Sequence, residues 1–76
     1  MTFKINTIYD FNLVIDGVVI GIKARFTGMG EKIGNTDYAH FARVLDDGTD
    51  GHTFKWSKAT AIANQPTVWE EERAEF

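Results

Sequence analysis

Two histidines, a single serine and no cysteine make up most of the reactive stock of this 76-residue chain. His40 and His52 fall on the two arms of one predicted hairpin, with Asp50 close by in sequence. Two imidazoles and a carboxylate are zinc donors, but no third firm ligand stands at a fitting spacing. Half-buried strand histidines bonded to a neighbour are the ordinary reading of such a pair. Acid–base catalysis would also need a nucleophile beside the base. Ser57 lies five residues beyond His52, and nothing in the order of residues builds a triad. The absence of cysteine removes the disulfide scaffold, the thiolate zinc site and the thiol nucleophile together. The expectation is a protein with no catalytic residues, no metal and no cofactor.

Two further motifs fail on spacing. In Gly28-Met29-Gly30-Glu31-Lys32-Ile33-Gly34, a dinucleotide fingerprint would need glycine where Ile33 stands. It would also need a following helix to offer N–H groups to the pyrophosphate. Asp46, Asp50 and Gly51 match positions 1, 5 and 6 of a calcium loop, yet Gly48 and Ser57 occupy positions 3 and 12. The second carboxylate and the bidentate Glu are missing, which leaves a solvated acidic turn.

Charge separates the chain into two parts. Residues 1–66 balance seven basic against seven acidic side chains, so the net charge of −3 sits in the last ten residues, on Glu70, Glu71, Glu72 and Glu75 against Arg73. A surface built for a phosphate backbone carries an excess of Lys and Arg. A protein partner is therefore expected before a nucleic acid. The nucleic-acid alternative rests on Lys23 and Arg25, which share a strand face that Arg43 and Lys55 could extend beside Trp56.

These residues must be positioned by β structure. Leu13-Val14-Ile15 and Val18-Val19-Ile20 flank Asp16-Gly17, the strongest short hairpin signal. Apolar residues take odd positions before the turn (Phe3, Ile5, Tyr9, Phe11, Leu13, Ile15) and even positions after it (Val18, Ile20, Ile22, Ala24, Phe26). Period two on both arms predicts one buried and one wetter face. Residues 27–37, with three glycines, read as a long loop, either a plain connection between strands or a mobile binding segment. Tyr38–Leu45 and His52–Trp56 form a second predicted hairpin around the turn at 46–51. Residues 57–64 fit either a helical turn capped by Ser57 or a fifth strand. After Pro66, Thr67 and Glu70 match a capping box, and Trp69, Arg73 and Phe76 share one helical face. A short C-terminal helix over 67–76 is predicted, docked on a 1–66 body within a single domain. Scaling of surface with mass has such a chain burying about 60% of its unfolded surface. No apolar run of 18 residues is present, so no membrane span is expected. The first residues lack the continuous apolar stretch of a signal peptide, and a cytoplasmic protein is the expectation.

The run from Tyr38 to Trp56 (aromatic, Ala, Arg, Val, an acidic turn with Gly, then aromatic, Lys and Trp) resembles the central strands of Tudor and chromo-barrel domains. The likeness covers residues 13–62. It implies a small antiparallel SH3-like barrel, with Phe26, Tyr38, Phe41, Phe54 and Trp56 as the pool for an aromatic cage that takes methylated Lys or Arg by cation–π attraction. The glycine-rich 27–37 segment and the acidic end depart from that pattern.

Together these features predict a mainly β, SH3-like barrel or strongly twisted sheet with a short C-terminal helix, monomeric or homodimeric through open edges. The expected partner surface is Met29, Glu31 and Lys32 of the glycine-rich segment plus Glu70, Glu71 and Glu72. In size and charge the chain is similar to phage-encoded inhibitors that bind a host enzyme directly.

Overall fold

The computed structural model describes residues 2–69. Over them the chain forms β1 (Ile8–Ile15), β2 (Val18–Ile33), β3 (Thr36–Val44), β4 (Asp50–Ser57), α1 (Lys58–Ala63) and β5 (Thr67–Val68). The five strands make one antiparallel sheet in the order β4-β3-β2-β1-β5. Its edges, β4 and β5, do not pair with each other, so the sheet is open and the expected barrel does not close.

The first hairpin forms as its sequence dictates. Asp16 and Gly17 have φ of 51° and 79°, the left-handed pair that a type I′ turn requires. That turn sets Ile15 opposite Val18 and carries the register down to Ile8 opposite Arg25. One face then receives Phe11, Leu13, Ile22, Ala24 and Phe26, and the other receives Asp10, Val14, Val19, Lys23 and Arg25.

The core lies on the first face and is built of rings. Phe41, wholly buried, meets Phe3 and Phe11 edge to face at 5.5 Å and 5.2 Å and stacks on Phe54 at 5.6 Å. Such offset and edge-on arrangements suit the ring quadrupole. Ala24, Ala39 and Ala61 are buried among the rings and leave room for them. Ala61 brings α1 onto this surface, with the Ser57 side chain accepting from the Thr60 N–H as the helix cap. Of the two readings of 57–64, the helix is the one that forms.

Three expectations change. Residues 27–37 are not a loop: β2 runs to Ile33, β3 starts at Thr36, and only a tight turn at Gly34–Asn35 separates them. Ladder hydrogen bonds need only backbone, so a segment poor in strand formers still pairs once Phe26 and Phe41 are aligned. Gly28, at φ 144°, takes up a register shift there that a side chain would resist. The helix expected over 67–76 also fails where it is described. Thr67 and Val68 pair with Asp10 and Tyr9, and the Trp69 N–H donates to the Ile8 carbonyl, so an open β1 edge takes this segment as strand. Residues 70–76 lie outside the described part. Upstream, Phe3 and Ile5 precede the sheet: Asn6 turns the chain at φ 67°, burying Phe3 and leaving Ile5 exposed.

The core does not reach the end of the first hairpin. β5 covers only Tyr9 and Asp10 of β1, and the pairing of β2 with β3 begins at Ala24. Beyond those points Leu13–Ile20 continues as a two-stranded ribbon, and Val14, Ile15, Val18, Val19 and Ile20 are between 42% and 69% exposed.

Core and ribbon should therefore respond differently to truncation. Phe41→Ala is expected to cost about 3–5 kcal/mol in urea unfolding at low protein concentration. Val18→Ala should cost less than about 1 kcal/mol under the same conditions. Equal losses would show that the ribbon is packed rather than projecting.

Candidate functional site

Past the Gly28 shift, Met29 stands opposite Ala39 and is 51% exposed. It borders an open cleft of about 400 Å³ whose floor is Phe3 and Phe26 and whose rim adds Ile5, Asp37 and Lys58. Both floor residues are buried, while Ile5 is 64% exposed. An apolar floor, a flexible thioether and one charge of each sign at the rim suit an inserted apolar side chain.

The other residues expected at the partner surface are placed apart. Glu31 borders a second, smaller cleft of about 200 Å³ with Gly30, Ile33, Tyr38, His40 and Lys55. Lys32 pairs with Asp37 at 3.8 Å on the Met29 side, and both are more than half exposed. A pair so solvated contributes little to stability. Glu70, Glu71 and Glu72 lie outside the described residues. Alternation puts Ile5 on the same predicted buried face as Phe3, and the Asn6 turn instead leaves it exposed at this cleft.

The four cations do not form an open stripe. Lys23 holds its Nζ 4.6 Å above the Trp69 ring. Arg25 donates from Nε to Asp50 Oδ1 at 3.3 Å and from Nη1 to the Asn6 carbonyl at 3.2 Å. Lys55 lies over Tyr38 at 5.2 Å. Arg43 sits opposite Ala24, on the core-side register, and meets Lys23 only across a cleft that Asp10 and Asp46 also line. Lys23, Arg25 and Trp69 do border one cleft of about 410 Å³, but Asp46 and Asp47 share its lining. Trp56 is packed on Phe11 and Phe54 at 5.1 Å and 4.8 Å and offers no free stacking face there. The cage pool is similarly committed: Phe26 and Phe41 are in the core, Phe54 and Trp56 pack against it, and only Tyr38 lies on the far side with Lys55.

The histidines are not neighbours. His40 stands opposite Lys55, while His52 precedes the Thr53–Ala42 pair. Among the described residues no group of three His, Asp or Glu comes together to hold a metal. The acidic turn is held by its own bonds. Asp47 Oδ1 accepts from the Thr49 hydroxyl at 2.6 Å and from the Thr49 N–H at 3.0 Å. Those two donors favour the carboxylate and hold Asp47 below the ordinary aspartate value. No protein-family model, curated protein or solved structure matches this chain.

The turn supplies a pH test with a definite sign. A carboxyl whose pKa is lowered on folding stabilises the fold above its unfolded value, about pH 4, and loses that increment as pH falls through the folded value. An NMR titration should place Asp47 below the ordinary aspartate value. Thr49→Val should move it up toward that value, and an unmoved Asp47 would exclude the hydroxyl as the cause.

Proposed function

We propose that this chain is a protein-binding module that acts by contact rather than catalysis, through the cleft beside Met29. The observation that carries this reading is the pair of half-exposed apolar side chains, Met29 and Ile5, over a floor of buried rings. Met adapts its three rotatable bonds to an incoming surface, and its sulfur is polarizable enough to favour aromatic or aliphatic contacts. The partner class is a protein segment that inserts one apolar side chain between Met29 and Ile5. Asp37 and Lys58 at the rim would fix its orientation. Small size and acidic residues at 70–72 and 75 fit an inhibitor that occupies a surface of a larger enzyme.

The experiment is capture from source-cell lysate by the tagged full chain, with and without nuclease, comparing wild type with Met29→Lys and with Lys23→Glu/Arg25→Glu. One protein retained near stoichiometry in both lanes, lost in Met29→Lys with the melting temperature unchanged, is the expected result. Retention that disappears with nuclease and in Lys23→Glu/Arg25→Glu would transfer the function to nucleic acid. A large fall in melting temperature for Met29→Lys would make Met29 a core residue and remove the cleft from consideration.

A further inference from the structure

The projecting ribbon is apolar on both faces. Leu13, Ile15, Val18 and Ile20 prolong the core side, and Val14 and Val19 occupy the other. The five most exposed of these residues present about 500 Å² of surface, the size of the largest apolar patch usual on a soluble monomer. From Phe11 to Ile22 the only charge is Asp16, at the apex.

The ribbon's edges are open as well. On β1, Asn12 donates its N–H to the Asn64 carbonyl, so even-numbered residues of β1 turn their backbone groups away from β2. Across the register, Val19 and Gly21 must then turn theirs away from β1, toward the side where β3 pairing has not yet begun. Gly21 leaves that edge bare. Its φ is not in the left-handed region, and the nearest atom to a Cβ built there is the Phe11 carbonyl oxygen at 4.0 Å, so the fold does not demand glycine. Glycine inside a strand weakens it and often marks the close approach of another backbone.

We propose that two copies of this chain join through this β2 edge, Val18–Ile22, running antiparallel with Ile20 opposite Ile20 of the second copy. The segment Val18-Val19-Ile20-Gly21-Ile22 is self-complementary about its centre. Val18 meets Ile22 and Val19 meets Gly21 of the other chain, all aliphatic or bare backbone. Val19 and Gly21 would exchange their outward N–H and C=O groups in two hydrogen-bonded pairs. The register brings each Asp16-Gly17 turn up to the end of β3, beside a cleft lined by Lys23 and Arg43 together with Asp10 and Asp46. The ribbon's one charge therefore stays at the border of the pairing rather than inside it. Two ribbons expose roughly 1,000 Å² between them over both faces, and edge pairing covers only part of it, less than a standard specific interface buries, so the dimer is weak and concentration-dependent. A lipid surface is a poorer occupant, because Asp16 at the apex would enter first with no cation beside it on the ribbon.

Sedimentation velocity of the full chain from micromolar to millimolar concentration tests the pairing. Wild type should pass from the mass of one chain to that of two. Ile20→Lys places two ammonium groups face to face at the centre, and Ile20→Glu two carboxylates; each alone should remain monomeric with its circular dichroism unchanged. Mixing the two should restore the dimer, since opposite charges then meet across the strands. Val19→Pro removes an outward N–H only and should also give a monomer. A wild-type monomer at millimolar concentration would overturn the proposal. So would dimers that persist in the Ile20 variants, a mixture that stays monomeric, or a monomer that instead binds phosphatidylcholine vesicles or another protein through the ribbon. Met29 lies about 30 Å along β2 from the ribbon, so failure here leaves the Met29 cleft untouched.

Discussion

Everything in this molecule hangs on Phe41. In a chain of 76 residues, one layer of sheet and a six-residue helix can enclose only a thin core. Phe41 sits where β2, β3 and β4 cross that core, opposite Phe26 on one side and Phe54 on the other. Rings from Phe3 and Phe11 close on it edge-on. The three alanines buried among the rings, Ala24, Ala39 and Ala61, are the complement of this choice: five rings converge only where their neighbours are small. The hydroxyl of buried Tyr9 accepts the Lys4 N–H at 2.8 Å, so the one polar ring is satisfied at the margin.

A core on one face also decides where apolar surface is left over. The sheet is longer than the core that covers it, because β2 alone has 16 residues. At one end the uncovered part is the ribbon from Leu13 to Ile20. Toward the other, Met29 and Ile5 overhang the rings of Phe3 and Phe26. Both surfaces continue the same alternation that builds the core, and neither needs a separate motif. Seven of the eleven exposed large apolar residues of the described chain accordingly fall in these two patches, while Ile33, Leu45, Ile62 and Val68 lie elsewhere.

What the sequence made legible follows from which interactions are local. Asp16-Gly17 announced its turn, because a positive φ at two successive residues leaves few alternatives. Ser57 signalled its cap, although a strand over 57–64 matched the pattern equally well. The segment 27–37 misled because its glycines and charges describe side-chain preference, whereas the strand there is held by backbone pairing with β3. Thr67 misled for a related reason. A capping box and an extended strand start from similar dihedrals, and the free edge of β1 at Tyr9 and Asp10 is a non-local fact. Barrel closure failed likewise, since alternation specifies a buried face but not how far the sheet curls. At the site, Met29 was visible as an apolar residue between glycines. Its partner Ile5 depended on the Asn6 turn, and the separation of Glu31 from Lys32 followed from strand alternation in a segment that reads as loop.

The two leftover surfaces also constrain each other. They lie at opposite ends of one strand, about 30 Å apart at 3.3 Å per residue. On the proposed pairing the ribbons meet at the centre and the strands diverge from a two-fold axis, which sends the two Met29 clefts outward. Joining two chains that way leaves both clefts free and holds them at a fixed separation. Two weak contacts on a multivalent target then act at an effective concentration set by that separation, with no new contact needed. A single shallow cleft of this size gives little affinity alone. On that pairing the second binding event would be intramolecular only in the fraction of chains that are paired, so the ribbon would link the strength of cleft binding to protein concentration.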